Sequence, residues 1–308
     1  MMPETQLNSG IEQSHILAFS NNIRAKIDKM GSKLTPYVDQ GSYTGERVQL
    51  VTYVGPVEFT ERKTKFSDTP NTELEHTQRW VSGVDYDLGV MIDRQDTTKM
   101  LIDPMSPYVD RILEAAGRAK DSVIMNAFFA QAKTGKHGNS TTNFPTANVV
   151  PHGGTSLTVD KLKALRELMA SKHVDFKTYM PCIAVTSHEK MQLMNSVEVT
   201  SKDYNQVQPL VRGDVDSFMG FKFIDYEDRS EPLVNNGDSI PTTEVSGTTY
   251  RSCPVWVPPG MHQASWQELR VRIEERVDKS YTPQIYANFI QGAARLEEDF
   301  VYSLETVI

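Results

Sequence analysis

The sequence predicts a mixed α+β subunit shaped to contact copies of itself, and three observations point there. Residues 43–92 make a strand-rich, charged excursion, and the longest helical stretch, residues 106–132, follows closely. Alternating segments also stand before and after an intervening helical lobe, as a discontinuous domain would place them. A ribbon that reaches out beside a long rigid helix favours a building block over a catalyst.

Residues 14–30 read as an amphipathic helix, because Ile16, Leu17, Phe19, Ile23 and Ile27 recur mostly at three- and four-residue steps. That stripe has no local partner. Gly31 and Ser32 close it, Pro36 and Gly41 mark an extended linker, and from Glu46 the period becomes that of a strand. Val48, Leu50, Thr52 and Val54 alternate with Arg47, Gln49, Val51 and Tyr53. Gly55 and Pro56 turn the chain, Glu61, Arg62, Lys63 and Lys65 charge the next stretch, and residues 68–72 are dense in turn formers. The tip of an extended hairpin is expected there, with its return through residues 77–80. Val84, Tyr86, Leu88, Val90 and Ile92 then alternate with Asp85, Asp87, Gly89 and Met91, the clearest period-two strand in the chain.

Ser106 suits an N-cap and Pro107 a first helical position, and Val109, Ile112, Ala116, Ala119, Val123 and Ala127 follow at helical steps. Twenty-seven residues, 106–132, make a strut about 40 Å long. Gly117, set between Ala116 and Ala119, leaves room for another segment to cross close to its backbone. Residues 135–154 are polar and rich in turn formers, a boundary or loop. Beyond Thr158, Leu162, Leu165, Leu168 and Met169 define a helical face, and residues 182–186 read as a short buried strand. Ser187 is the expected cap of a short helix, with Glu189 two rather than three residues on, an imperfect capping box. Residues 219–225 return as a strand and residues 227–249 are polar. Two late strands, around Leu269, Val271 and Ile273 and around Phe300, Tyr302 and Leu304, flank residues 281–291.

With 308 residues the chain can bury a sizeable core, in one large or two ordinary domains. A hydrophobic share of 39% implies a surface-rich, elongated or multi-lobed subunit. The net charge of −8 opposes direct coating of nucleic acid, which needs basic stripes to displace counterions, so any nucleic acid it meets is expected to be enclosed. Two cysteines, Cys182 and Cys253, signal neither a disulfide framework nor a zinc site and fit a reducing compartment. No stretch reaches the apolar length of a membrane span, and the start at Met1 lacks a basic segment followed by an apolar run, so neither secretion nor membrane insertion is expected.

Catalytic signatures are weak. Gly135-Lys136 has Ala130 where a phosphate-binding loop needs glycine, and His137 follows, so a solvated turn is the better account. Seven histidines lie scattered with no pair at ligand spacing on one helix face, and no metal or other cofactor is expected. Ser187, His188 and Glu189 are sequence neighbours that point apart on a helix, whereas a triad assembles in space. A soluble hydrolase using His188 or Cys182 is the most distant reading.

The order of elements resembles the major capsid proteins of tailed bacteriophages, the Hong Kong 97-type shell fold. The matching series is an arm helix, an extended loop at residues 43–80, a spine helix at residues 106–132, then helix, strand and helix from Thr158-Val159-Asp160-Lys161-Leu162 to Val185-Thr186-Ser187-His188-Glu189-Lys190. Gly220-Phe221-Lys222-Phe223-Ile224, Ile273-Glu274-Glu275-Arg276-Val277-Asp278-Lys279 and Gly292-Ala293-Ala294-Arg295 also look like segments of short coat proteins in this group. The resemblance implies an arm (1–42), an extended loop (43–80), a peripheral domain (81–155 and 259–308) and an axial domain (156–258) gathered around fivefold and sixfold axes. It implies pentamers and hexamers of identical subunits enclosing double-stranded DNA in a virion head assembled in the bacterial cytoplasm. A portal and a separate scaffolding protein are expected, the latter because no extra segment precedes the arm, and an outer decoration protein is compatible. Glu61, Arg62, Lys63, Lys65 and Trp80 are the expected inter-subunit contacts, against the plainer reading of a solvated charge run. An encapsulin-like bacterial compartment is the alternative that shares the fold.

Overall fold

The computed structural model describes residues 31–54, 59, 61, 64, 65, 74, 76–91, 105–195, 216–226, 240–245 and 247–308. The expected arm helix at residues 14–30, and Arg62 and Lys63, lie outside them. The described chain begins with β1 (Asp39–Ser42), β2 (Arg47–Val54), β3 (His76–Ser82) and β4 (Val84–Met91), followed by the long helix α1 (Met105–Phe129). Short strands β5 (Ala132–Thr134), β6 (Ser140–Thr142) and β7 (Val149–Val150) lead to α2 (Val159–Ser171), β8 (Cys182–Val185) and α3 (Ser187–Met194). Then come β9 (Ser217–Phe218), β10 (Phe221–Asp225), β11 (Thr242–Val245), β12 (Thr248–Trp256), β13 (Met261–Arg276), β14 (Thr282–Arg295) and β15 (Val301–Val307).

Three sheets organise these strands. One has the order β1-β13-β14-β4, a second the order β2-β3-β5-β6, and the third the order β7-β15-β12-β8-β10-β9 with β11 on β12. The third sheet is covered on both faces. Ile183, Val185, Phe223 and Val255 meet Leu162, Leu165, Met169 and Leu193 of the two short helices, while Cys182, Ala184, Ile224 and Trp256 meet Ile124, Met125 and Phe128 of α1. All four residues of β8 are therefore buried, as expected of a strand sandwiched between layers.

Helix α1 serves two sheets. Its first half lays Ile112, Ala116 and Ala119 on Ile285, Ala287 and Phe289 of β14, and its second half enters the core of the third sheet. Its 25 residues span about 38 Å. The helix ends three residues before the expected position, because residues 132–134 are drawn into sheet pairing with β3 through Arg79↔Thr134 and Trp80↔Lys133.

Other differences share a cause. Residues 282–295, unassigned between two expected late strands, are themselves β14, which pairs with β13 over most of its length. The polar stretch before Thr249 contains β11, and β12 next to it is central to the third sheet. Polar side chains outnumber apolar ones on the outer parts of these strands, so alternation is muted where backbone pairing continues. The last strand, β15, pairs with β12 from Tyr250↔Val307 to Trp256↔Val301, so the third sheet draws on residues either side of position 258. The short helix is capped by Thr186 rather than Ser187; Glu189 then falls at the third helical position and the capping box is complete.

Gly117 is where the chain entering from the N-terminal side crosses α1. A Cβ there would lie 2.6 Å from the carbonyl oxygen and 2.7 Å from the Cα of Gly31. The crossing segment is thus the backbone at Gly31. Alanine is favoured over glycine in a helix by about 1 kcal/mol, but backbone cannot yield as a flexible side chain can. Gly117→Val is expected to destabilise the chain by about 1–3 kcal/mol in a denaturant titration and to speed proteolysis within residues 31–42; a stabilised variant would contradict the crossing.

Candidate assembly surfaces and the node beneath them

The hairpin of β2 and β3 pairs from Arg47↔Ser82 to Val54↔His76, with an irregularity between Gln49 and Val51. Its root is anchored within the same chain. Tyr43 N–H donates to the Ser265 carbonyl at 2.8 Å, Trp266 Nε1 donates to the Gly45 carbonyl at 2.6 Å, and Trp80 Nε1 donates to the Gly135 carbonyl at 2.8 Å. Gly138, with φ of 68°, sits against the Trp80 indole, where a Cβ would come within 3.1 Å of Cγ. Trp80, expected at a subunit contact, is placed at this root, and its indole N–H is engaged inside the chain.

Among the described residues beyond the root, the side chains are exposed. Phe59 is fully exposed, Val54 and Leu74 are about half exposed, and Glu61 and Lys65 are exposed. An unsupported aromatic ring is apolar surface that water covers at a cost of about 25 cal/mol per Å². A second apolar scatter lies on the ribbon of β4, β13 and β14, where Leu88, Met91, Ile273, Val277 and Tyr281 are exposed.

Beneath the hairpin lies a charged node that sequence reading missed. Arg295 on β14 is fully buried. Its Nη1 donates to the carbonyls of Phe128, at 2.5 Å, and Ala130, closing the negative end of α1; its Nη2 reaches the Thr142 carbonyl at 3.2 Å. Nε donates to Glu298 Oε2 at 3.2 Å. Arg79 on β3 meets the same carboxylate through Nη2 at 2.8 Å and gives Nε to the Leu296 carbonyl at 2.8 Å. Burial pushes the Arg295 guanidinium below its ordinary ionisation range, and Glu298 opposes that push. One carboxylate therefore joins the hairpin root, the spine helix end and the turn into β15. The legible trace was an arginine ending the small-residue run Gly292-Ala293-Ala294, with an acid three residues on.

A carboxylate on α1 holds the start of the described chain. Asp121, fully buried, accepts from Ser32 Oγ at 2.6 Å, from Lys33 N–H at 3.0 and 3.1 Å to its two oxygens, and from Leu34 N–H at 3.0 Å. Leu34 drops into the core, Trp256 Nε1 binds the Tyr37 carbonyl at 2.8 Å, and β1 joins β13 in parallel from Asp39↔His262. His262 Nδ1 lies 2.7 Å from Asp39 Oδ2.

In the lobe of α2 and α3, Glu189 caps its helix and pairs with Arg251, both buried. His188 is turned outward, 2.7 Å from Gln192 Nε2, and the two take no common target. Burial pushes the Cys182 thiol up to about 12, away from the thiolate a nucleophile needs. Among the described residues no three His, Cys, Asp or Glu side chains gather as metal ligands. Lys161, buried in the first turn of α2, donates to the carbonyls of Thr155 at 2.7 Å and Glu305 at 2.9 Å, and burial pushes its ammonium down to about 8.

This arrangement of strut helix, sheets and rooted hairpin is similar to solved phage capsid structures over most of its length. The capsid of cyanophage Pam1 matches with a TM-score of 0.69 at 13% identity over 94% of this chain and 95% of that one. The acid-stable capsid of Helicobacter pylori bacteriophage KHP30 matches at 0.67 with 10% identity over 94% and 97%, and the capsid of Ralstonia phage GP4 at 0.65 with 13% identity over 94% and 94%. Such identities carry the fold, of Hong Kong 97 type. The family model of phage capsid proteins matches residues 11–307, and the chain belongs to that family. It is a major capsid protein, a structural component of the phage virion, and the hydrolase reading falls. A search of curated proteins found no match.

Arg295→Met leaves the α1 carbonyls unmet and Glu298 with Arg79 as its remaining cation, and is expected to cost about 3–5 kcal/mol by denaturant titration. Equal stability to the wild type would show that the node carries nothing. For Lys161 the folded chain releases its proton near 8 and the unfolded chain near 10.5, so between those values the unfolded state binds more protons and stability rises with pH. Thermal melts of wild type and Lys161→Met, compared at about pH 7.5 and about pH 9.5, should show the difference moving in favour of the wild type; a constant gap would remove the linkage.

Proposed function

We propose that identical copies of this chain close as pentamers and hexamers into the icosahedral head of a tailed phage, around double-stranded DNA that no part of the chain reads. The observation that carries this is the hairpin: its root is fixed by hydrogen bonds to its own subunit, yet Phe59, Leu74 and the charged Glu61 and Lys65 beyond it have no support there. An adjacent subunit supplies that support. Heterologous contacts of this kind close only when each copy meets the next in the same way, with small adjustments at non-identical positions. A rigid body with an adaptable ribbon divides those tasks.

In this reading residues 1–42 are the arm and 43–80 the extended loop. Residues 81–155 and 259–308 form the peripheral domain and residues 156–258 the axial one, with β15 contributing its strand to the axial sheet. Glu61, Arg62, Lys63 and Lys65 meet charges of the neighbour, and Trp80 sets the angle at which the loop leaves. The charge of −8 supports a lining that encloses DNA without gripping it. A separate scaffolding protein and a portal complete the assembly, with decoration proteins as optional outer partners.

Lys63→Glu combined with Lys65→Glu is expected to leave a folded subunit, by circular dichroism, that sediments as small species where the wild type forms shells visible by electron microscopy. Normal shells from the double variant would remove these contacts from the reading. A wild-type chain that stays monomeric with its scaffold present would overturn the reading itself, and nucleic acid or enzyme cargo inside the shells separates a phage head from a bacterial compartment.

A further inference from the structure

Between α1 and the sheet of β4, β13 and β14 lies an open, mainly apolar cleft of about 210 Å³, lined among others by Leu88, Ile112, Ala116, Ala119, Ala287 and Phe289. Asp87 and Arg118 also line it. A cavity of about 150 Å³ already holds a benzene ring, so this one has room for an aliphatic side chain or two.

We propose that the chain's own N-terminal segment, residues 14–30, docks its apolar stripe in this cleft, with Ile23 and Ile27 as the inserted side chains. Four observations select this occupant. The segment carries Phe19, Ile23 and Ile27 at four-residue spacing, one stripe of a helix that lacks a partner in its own neighbourhood. The described chain begins at Gly31, which lies against Gly117, on the same turns of α1 whose Ala116 and Ala119 line the cleft. Along a helix at about 1.5 Å per residue Ile23, eight residues before Gly31, stands about 12 Å from it, more than the roughly 10 Å diameter of a helix, so the stripe can reach past the crossing to the cleft. The segment is also net positive, with Arg24, Lys26 and Lys29 against Asp28, and Asp87 at the cleft edge offers it an acid beside the lining cation Arg118.

The tether decides between this segment and a rival from another copy. Asp121 fixes residues 32–34, so the segment is presented at the effective millimolar concentration of a short linked ligand. The docking needs no second subunit, and its failure is separable from failure of the shell reading.

The test uses the full chain with Ile23→Cys and Leu88→Cys, oxidised both as unassembled subunits and as particles. The expected product is a disulfide within one chain, seen as a monomer of altered mobility on a non-reducing gel and confirmed by peptide mapping. The control pair Arg24→Cys with Leu88→Cys, on the polar side of the segment, should form far less. Covalent dimers, or a yield no greater than the control's, would overturn the proposal. Hydrogen exchange of Ile23→Asp provides a second reading that needs no cross-link. Loss of one buried isoleucine should raise exchange in residues 112–119 about tenfold, and unchanged exchange there counts equally against it.

Discussion

Arg295 brings a positive charge to the meeting place of helix α1, the end of β6 and β14, where water is excluded and each N–H must find an acceptor. The acceptors it finds are backbone carbonyls at the end of α1 and in the strand opposite, together with the Glu298 carboxylate it shares with Arg79. A buried ion pair of this kind contributes little net stability compared with a well-packed apolar cluster, because desolvation offsets most of the attraction. Its effect here is geometric. Three elements from distant parts of the sequence must arrive together, at one angle, before the charge is satisfied, and the hairpin inherits its direction from that angle through Arg79.

The spine helix extends this constraint along the molecule. With its first half on β14 and its second half in the core of the third sheet, α1 couples two layers, which also meet directly where Met261 and Ala293 pack into that core. Asp121 adds the arm, tying three consecutive residues to one carboxylate in the middle of the helix. The body thereby becomes a rigid mount. Exposed apolar side chains stand on the hairpin beyond Val54 and on the outer ribbon around Val277 and Tyr281, and also on the body at Leu113, Met180 and Met191. Rigid mount and unsupported extremities are what a shell subunit requires, since its surface contacts are completed by its neighbours while its own fold must not shift as they form.

Much of this was legible before any coordinates. The hairpin strands, the strut, the helix of Leu162 and Leu165 and the buried strand at Cys182 follow from periodicity alone, because each has one face against the core and shows it in its residue order. Gly117 announced a close crossing, though only the structure shows that the backbone at Gly31 makes it. The long ribbon of β13 and β14 was half legible: Leu269, Val271 and Ile273 alternate, while the strand of Thr282–Arg295 mixes tyrosines, amides and small residues that hide its period.

Hydrophobic period and turn chemistry act over a few residues and element order is read directly, so the local elements and the class of protein were legible in residue order. Which strands share a sheet, why β15 crosses to β12, and which buried charges answer one another emerge only once the chain is folded. Strand partners are chosen by backbone groups that every residue carries alike, and Arg79, Asp121, Arg295 and Glu298 gain their roles from groups up to 219 positions away. No window of sequence spans that distance.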